Sequence, residues 1–174
     1  MANPTMTLIG SPIVVGSGGA SSVTFSSIPA TWTDLKIVMS NRDDRSATVS
    51  DFYVGFNGVQ TNLSMRRLYG DGSAPSSSSA STGNAGIDDA ASSTANTFAN
   101  CELYIPNYTS SNYKSYSADS VTENNAGGAG SAFAQMTAGL WSSTSAITSV
   151  TIYAISGNNF AQYSTFYLYG INNS

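Results

Sequence analysis

Histidine is absent from this chain, cysteine occurs once, and charged residues make up only 9% of its 174 positions. Each shortage excludes something. Without imidazole there is no ready general base near neutral pH, which removes the Ser-His-Asp and Cys-His relays and most zinc sites. A lone thiol, Cys101, cannot form an intrachain disulfide. Its alternating neighbours place it on the inward face of a strand, as a small hydrophobe rather than a reactive thiol. Lysine and arginine total six, with only Arg66 and Arg67 adjacent, and the net charge is −4. That is no footprint for nucleic acid or an anionic membrane surface. Apolar runs are short, Ile13-Val14-Val15 being typical, far below the ~20 residues of a spanning helix. The opening residues 1–4 lack a basic stretch and an apolar core, so no signal peptide is expected and synthesis in a reducing cytoplasm is.

What is present argues for a folded domain. Apolar residues reach 41%, whereas disorder couples low hydrophobicity to high charge. The length suits one domain, residues 1–174, burying roughly 70% of the surface its unfolded chain exposes. Serine, threonine, asparagine and glycine stand where charge would be. Neutral groups cost less to desolvate than ions, so a partner can cover such a surface.

Strand signals dominate. Leu35, Ile37 and Met39 alternate with Lys36 and Val38; Ala99, Cys101, Leu103 and Ile105 alternate with Asn100, Glu102 and Tyr104. Val150, Ile152 and Ala154 repeat the pattern, as do Phe166 and Leu168. Ala132, Ala134, Met136, Ala138 and Leu140 share one face. Period two sends one face to a core and the other to water or a neighbour. The best helix candidate, 130–141, is alanine-rich, but its alternation and flanking glycine favour strand.

Turn signals separate the runs. Asn57-Gly58 predicts a hairpin between 52–56 and 63–68. Gly157-Asn158-Asn159 divides the last two strands, and Pro29 and Pro106 close others. Gly16-Ser17-Gly18-Gly19 reads as a turn, since a strand follows where a phosphate loop needs a helix. Residues 71–84 hold six serines with glycine and proline, which predicts a long mobile loop within a flexible stretch at 70–86; 124–130 predicts a second flexible connection. About ten short strands without helices imply an all-β, two-sheet antiparallel sandwich of jelly-roll type. An immunoglobulin-like sandwich is the alternative, weakened by the missing Cys-Trp-Cys framework.

Candidate chemistry is sparse. No serine sits in G-x-S-x-G, and neither Lys36 nor Lys114 has specialised neighbours. A carboxylate pair drawn from Asp43, Asp44, Asp51, Asp88, Asp89, Glu102 and Asp119 could hydrolyse glycosides, against the simpler reading of solvated loop charge. Asn41, Asp43, Asp44 and Asp51 offer oxygens to calcium, yet Arg42 and Arg45 more simply neutralise those aspartates. No catalytic residue, metal or cofactor is expected. Tyrosine is the enriched type, with ten copies. It favours interfaces, so Tyr108, Tyr113, Tyr116, Tyr163, Tyr167 and Tyr169 are the candidate subunit-interface residues; for Tyr167 and Tyr169, opposite Phe166 and Leu168, a strand central in the sandwich is the other and favoured reading.

Three segments then carry a family resemblance: IPATWTDLKIVMSNR (28–42), MRRLYGDG (65–72) after FNG (56–58), and LWSSTSAITSVTIYAISGNNFAQYSTFYLYGI (140–171). Together they resemble small virion structural proteins of tailed bacteriophages, in which a Trp strand leads to an AITS strand and an F..GS.F.LYGI ending. Tyr163 stands where that pattern has glycine. The resemblance implies an assembly protein of the particle, made in the host bacterial cytoplasm. Its leading form is a homotrimeric capsid decoration (cement) protein that contacts the major capsid protein and bridges capsomers. The alternative is a tail-fibre or receptor-binding head that grips host glycans. A polysaccharide-cleaving enzyme is a distant third.

Overall fold

A computed structural model describes residues 5–128 and 130–172; the start at 1–4 lies outside the described residues. The chain runs through β1 (Met6–Leu8), β2 (Ile13–Val14), β3 (Ser22–Phe25), β4 (Asp34–Asn41), β5 (Val49–Phe56), β6 (Leu63–Gly70) and β7 (Pro75–Ala80). It continues through β8 (Asn84–Asp89), β9 (Ala99–Ile105), β10 (Lys114–Thr122), β11 (Phe133–Trp141), β12 (Val150–Ala154) and β13 (Thr165–Ile171). No described residue is helical, and the helix candidate at 130–141 is strand β11.

The larger sheet has the order β1-β13-β4-β9-β10-β11-β6-β7, with β2 also on β13; the smaller is β3-β12-β5-β8. All strand pairs are antiparallel. Set aside the hairpins β6–β7 and β10–β11, and count β1 and β2 as one strand broken at Gly10, whose φ is +70°. Eight strands remain, ordered first-eighth-third-sixth against second-seventh-fourth-fifth. That is jelly-roll topology. The two hairpins are insertions, one after the fourth roll strand and one after the sixth. β11 pairs with β6, so the insertions knit into a four-stranded annex that carries the large sheet past β9.

Alternation builds the core. Leu35, Ile37 and Met39 of β4, Cys101, Leu103 and Ile105 of β9, and Phe166 and Leu168 of β13 all face inward and are buried. Opposite them lie Val23, Phe25, Phe52, Val54, Phe56, Val150 and Ile152 of the small sheet. Each such side chain stabilises the fold by about 1.5–3 kcal/mol. Phe160 packs edge-on to Phe166, centroids 5.0 Å apart. Cys101 is buried with its thiol aimed at the Ile87 carbonyl, 3.6 Å away, and burial pushes its pKa well up. The LYGI ending has a packing reason. The Trp32 ring lies on Gly170, where an added Cβ would come within 2.2 Å of it.

Two sequence expectations need correction. The segment 71–84 is not a loop throughout: residues 75–80 form β7, paired in register with β6. Asp71 closes the hairpin, its Oδ1 accepting from the backbone N of Ser73 (3.0 Å) and Ala74 (3.3 Å). A serine run carries no hydrophobic period, yet its backbone ladders as well as any other. Asn57-Gly58 does form a tight turn, with φ of 52° and 79°, but β5 and β6 lie in different sheets. The Asn57 side chain instead joins the turn to the loop before β12: Oδ1 accepts from Thr148 N (2.8 Å) and Nδ2 donates to the Ala146 carbonyl (2.8 Å). The chain there crosses to the annex.

Candidate functional site

The annex has two unlike faces. At one end its inner face is aromatic: Tyr116 and Trp141 pack on Phe56 with centroids 5.7 and 5.4 Å away. Gly139 makes room, since a Cβ there would come within 2.0 Å of the Tyr116 ring. Further along, the inner face turns polar. Ser120, Thr122, Gln135 and Thr137 are buried. Ser120 Oγ accepts the backbone N–H of Ile87 (2.9 Å), which ties β8, the small sheet's edge strand, to the facing sheet. Gln135 Nε2 donates to Thr137 Oγ1 (2.9 Å) and Asn84 Oδ1 (3.4 Å). Arg67 pairs with Asp51 (3.0 Å), donates to Ser78 Oγ (2.8 Å) and lies over the Tyr69 ring.

The outer face carries the hydrophobes. Met136 is 70% exposed, Leu68 64% and Val121 45%; Leu140 is exposed beside them. Ala134 and Ala138 share their face of β11, while Gln135, Thr137 and Trp141 turn inward. The apolar period found in the sequence at 132–140 therefore points out. Pairing registers set Asp119, Met136, Leu68 and Ser77 in one row, and Ser117, Ala138, Arg66 and Ser79 in the next. Arg66 and Asp119 are the only charges that alternation places on this face. Two grooves, of about 580 and 730 Å³, share Leu68, Met136 and Asp119 in their walls. Asp119's carboxyl is raised above its ordinary value, first by burial and then by Glu102 nearby.

The six candidate tyrosines are not brought together. Tyr108 and Tyr116, at 0% and 3% exposure, belong to the chain's own core and cannot meet a partner. Tyr108's hydroxyl donates to the Pro29 carbonyl, so the polar tip expected at an interface is satisfied inside. Tyr113 and Tyr163 are exposed outside the strands. Tyr167 and Tyr169 lie half-buried on the outer face of β13, stacked with centroids 6.5 Å apart. They stand beyond β4 and β9 from the annex, near exposed Met6, Leu8 and Val14.

The carboxylates also depart from expectation. Asp43, Asp88 and Asp89 are buried rather than solvated. Asn41 Nδ2 donates to Asp88 Oδ2 (2.8 Å), Ser93 Oγ to Asp89 Oδ1 (2.9 Å), and the Arg45 backbone N to Asp43 Oδ1 (3.1 Å). Burial, and then the Asp43 charge, push the Asp88 carboxyl well above its ordinary range; burial raises Asp43 too. Arg42 does not neutralise them. Its guanidinium donates to the carbonyls of Ala91, Ser93, Thr94 and Thr97, pinning that turn. The calcium set is dispersed: Asp44 accepts from Asn159 N (2.8 Å) and Asp51 holds Arg67. Among the described residues no three His, Cys, Asp or Glu side chains converge on a metal position. Glu102 pairs with Lys36 (2.7 Å), and Lys114 spends its ammonium on the Ser143 and Ser145 carbonyls (3.3 and 2.6 Å). These groups make a buried network that is only partly satisfied, since Asn41 Oδ1, Asp43 Oδ2, Asp88 Oδ1 and Asp89 Oδ2 find no hydrogen-bond partner among the described residues; the annex's outer face is the exposed apolar surface.

No family model matches the chain, and no curated protein matches it.

Proposed function

We propose that this protein is a structural subunit of a tailed-phage virion, most simply a decoration protein on the capsid exterior that cements neighbouring capsomers. One observation carries the reading: an extra four-stranded surface, added to a complete jelly roll, that faces its hydrophobes outward. An exposed apolar patch rimmed by polar residues marks a protein contact. Its mechanism is burial of that patch at about 25 cal/mol per Å² of apolar area before ordering costs. The neighbouring alanines and serines are short enough for another surface to approach closely. Tyr167, Tyr169, Met6, Leu8 and Val14 supply a second apolar surface at the other end of the same sheet. Two sticky ends on one rigid sheet suit a bridge between subunits. Jelly rolls serve both capsids and lectins, so the reading rests on this surface and on the sequence resemblance, with the fold only compatible.

Quantitative mass spectrometry of particles from the phage encoding this chain tests it. Tens to hundreds of copies per particle are expected, and a handful overturns the cement role. A receptor-binding reading is favoured by one other feature, a groove of about 520 Å³ on the small sheet between Tyr53, Gln60, Tyr153 and Asn158. Tyrosine rings beside amide groups suit a sugar. Retention of a specific glycan on an array would favour that role.

A further inference from the structure

Resting on the assembly reading, we infer that the first partner of the annex is a second copy of this chain, packed face to face about a two-fold axis that runs along the strands over β11. Such an axis lays each copy's β6 over the other's β10, because those strands flank β11 on either side. Met136 then meets Met136 and Leu68 of the other copy at the centre. The two charges of the face become complementary. Arg66 lies on β6 and Asp119 on β10, in adjacent rows of the ladder. Their offset along the strands is two residues, about 7 Å, within reach of an arginine side chain. Each copy supplies Arg66 and Asp119, so the contact carries two Arg66–Asp119 pairs, while Glu102 of β9, already paired with Lys36, falls opposite the Ser77 row of the other copy.

Neither group forms an ion pair among the described residues, although Asp119 lies beside the Lys36–Glu102 pair. Arg66 Nη1 donates only to its neighbour's carbonyl, Met65 O (2.9 Å). The two salt bridges among the described residues, Lys36–Glu102 and Arg67–Asp51, involve neither Arg66 nor Asp119. The area is adequate. The axis also lays β7 over the other copy's β9, so the contact spans five strands averaging about eight residues; with strands ~4.8 Å apart and a rise of ~3.4 Å they project roughly 600 Å² per copy. Two copies then bury about 1,200 Å² even before side-chain relief is counted, the lower end of standard interfaces. The face also fits self-pairing in shape. Met136, Leu68 and Arg66 stand in the two central rows, Leu140 and Val121 in the rows on either side, and serines and alanines fill between them, so two sheets close at the usual ~10 Å. A two-fold contact uses one patch twice and closes on itself.

Native mass spectrometry and sedimentation of the full chain over roughly 1–100 μM, a range that spans weak to standard affinities, test the inference. Dimers, or even multiples of dimers, are expected. Met136→Glu and, independently, Leu68→Glu should each weaken the dimer by about 30-fold or more. Both positions are solvent-exposed, and an unchanged circular dichroism spectrum and melting temperature will show that each variant folds. Arg66→Asp should weaken it about tenfold, and adding Asp119→Arg should restore it. A trimer, a dimer indifferent to Met136→Glu, or a charge swap that fails to restore pairing overturns the two-fold contact. A monomer that still loads onto particles, and loses loading with Met136→Glu, overturns self-pairing while leaving the assembly reading intact. A monomer found on no particle overturns both.

Discussion

The roll and the annex share one sheet and bury the same face of it, but fill that face with opposite kinds of residue. In β4 the rule holds: Leu35, Ile37 and Met39 go in, while Lys36 and Ser40 stay out. In β11 it inverts, with Gln135 and Thr137 inside and Met136 and Ala138 outside. Coverage explains the difference. The small sheet ends at β8, so no further apolar layer extends over β6 and β7. The space beneath is filled by long polar chains that satisfy one another, Arg67 with Asp51 and Gln135 with Thr137. A period of two states that a strand has two faces; what lies over each decides which one is core.

That contrast can be broken at several points, beginning with the largest effect. Phe166→Ala in the roll should cost about 3–5 kcal/mol in urea unfolding. Met136→Ser in the annex should leave the monomer within about 0.5 kcal/mol of the parent. Equal costs would mean that the annex hydrophobes are core after all. Gly139→Ala should lose about 1–3 kcal/mol, because the new methyl must displace the Tyr116 ring; an unperturbed melting temperature would contradict the aromatic end of the annex. The pH dependence probes the polar network. The folded state holds Asp88's carboxyl above its ordinary 3.8, so the fold keeps a proton that the unfolded chain has released. Its contribution is complete below about pH 3.8 and is lost as pH rises through the elevated folded value. The urea midpoint, once other groups are accounted for, should therefore fall with rising pH, and Asp88→Asn should flatten that slope. The smallest effect concerns Tyr163, whose φ of 74° places a bulky residue in glycine's region. Tyr163→Gly should gain up to about 1 kcal/mol by relieving the left-handed strain, read as a small rise in melting temperature.

Much of the roll was legible before any coordinates. The alternating runs of β4, β9, β12 and β13 fall where the periodicity put them, because both their apolar residues and their turns obey local rules. The sandwich and its jelly-roll order agree with the reading from short strands and turn residues. β7 was invisible because Ser76–Ser79 have no period, and its existence depends on β6 lying alongside. The buried Asp88 and Asp89 were read as loop charge because no local signal announces that Asn41, 47 residues away, will meet Asp88. Tyr108 and Tyr116 were assigned to an interface because a tyrosine's affinity for partial burial looks the same in a core. The outward annex face was half-visible: the spacing of Ala134, Met136 and Ala138 was plain, but its direction was set by a sheet edge more than forty residues earlier. The glycine expected where Tyr163 stands is the opposite case, since the backbone there does adopt the conformation that glycine favours.

The joint between β6 and β11 has a consequence in time. During synthesis the β6–β7 hairpin leaves the ribosome about sixty residues before β11 does. At elongation rates of ~5–20 residues per second, that interval lasts roughly 3–12 s. Throughout it, one edge of β6 presents unpaired backbone groups beside the exposed Leu68, a combination that invites strand addition from other nascent chains. High-level expression would then lose yield to aggregation in proportion to how slowly ribosomes cross residues 71–132. Local codon speed would thus govern how much correctly joined protein a cell delivers.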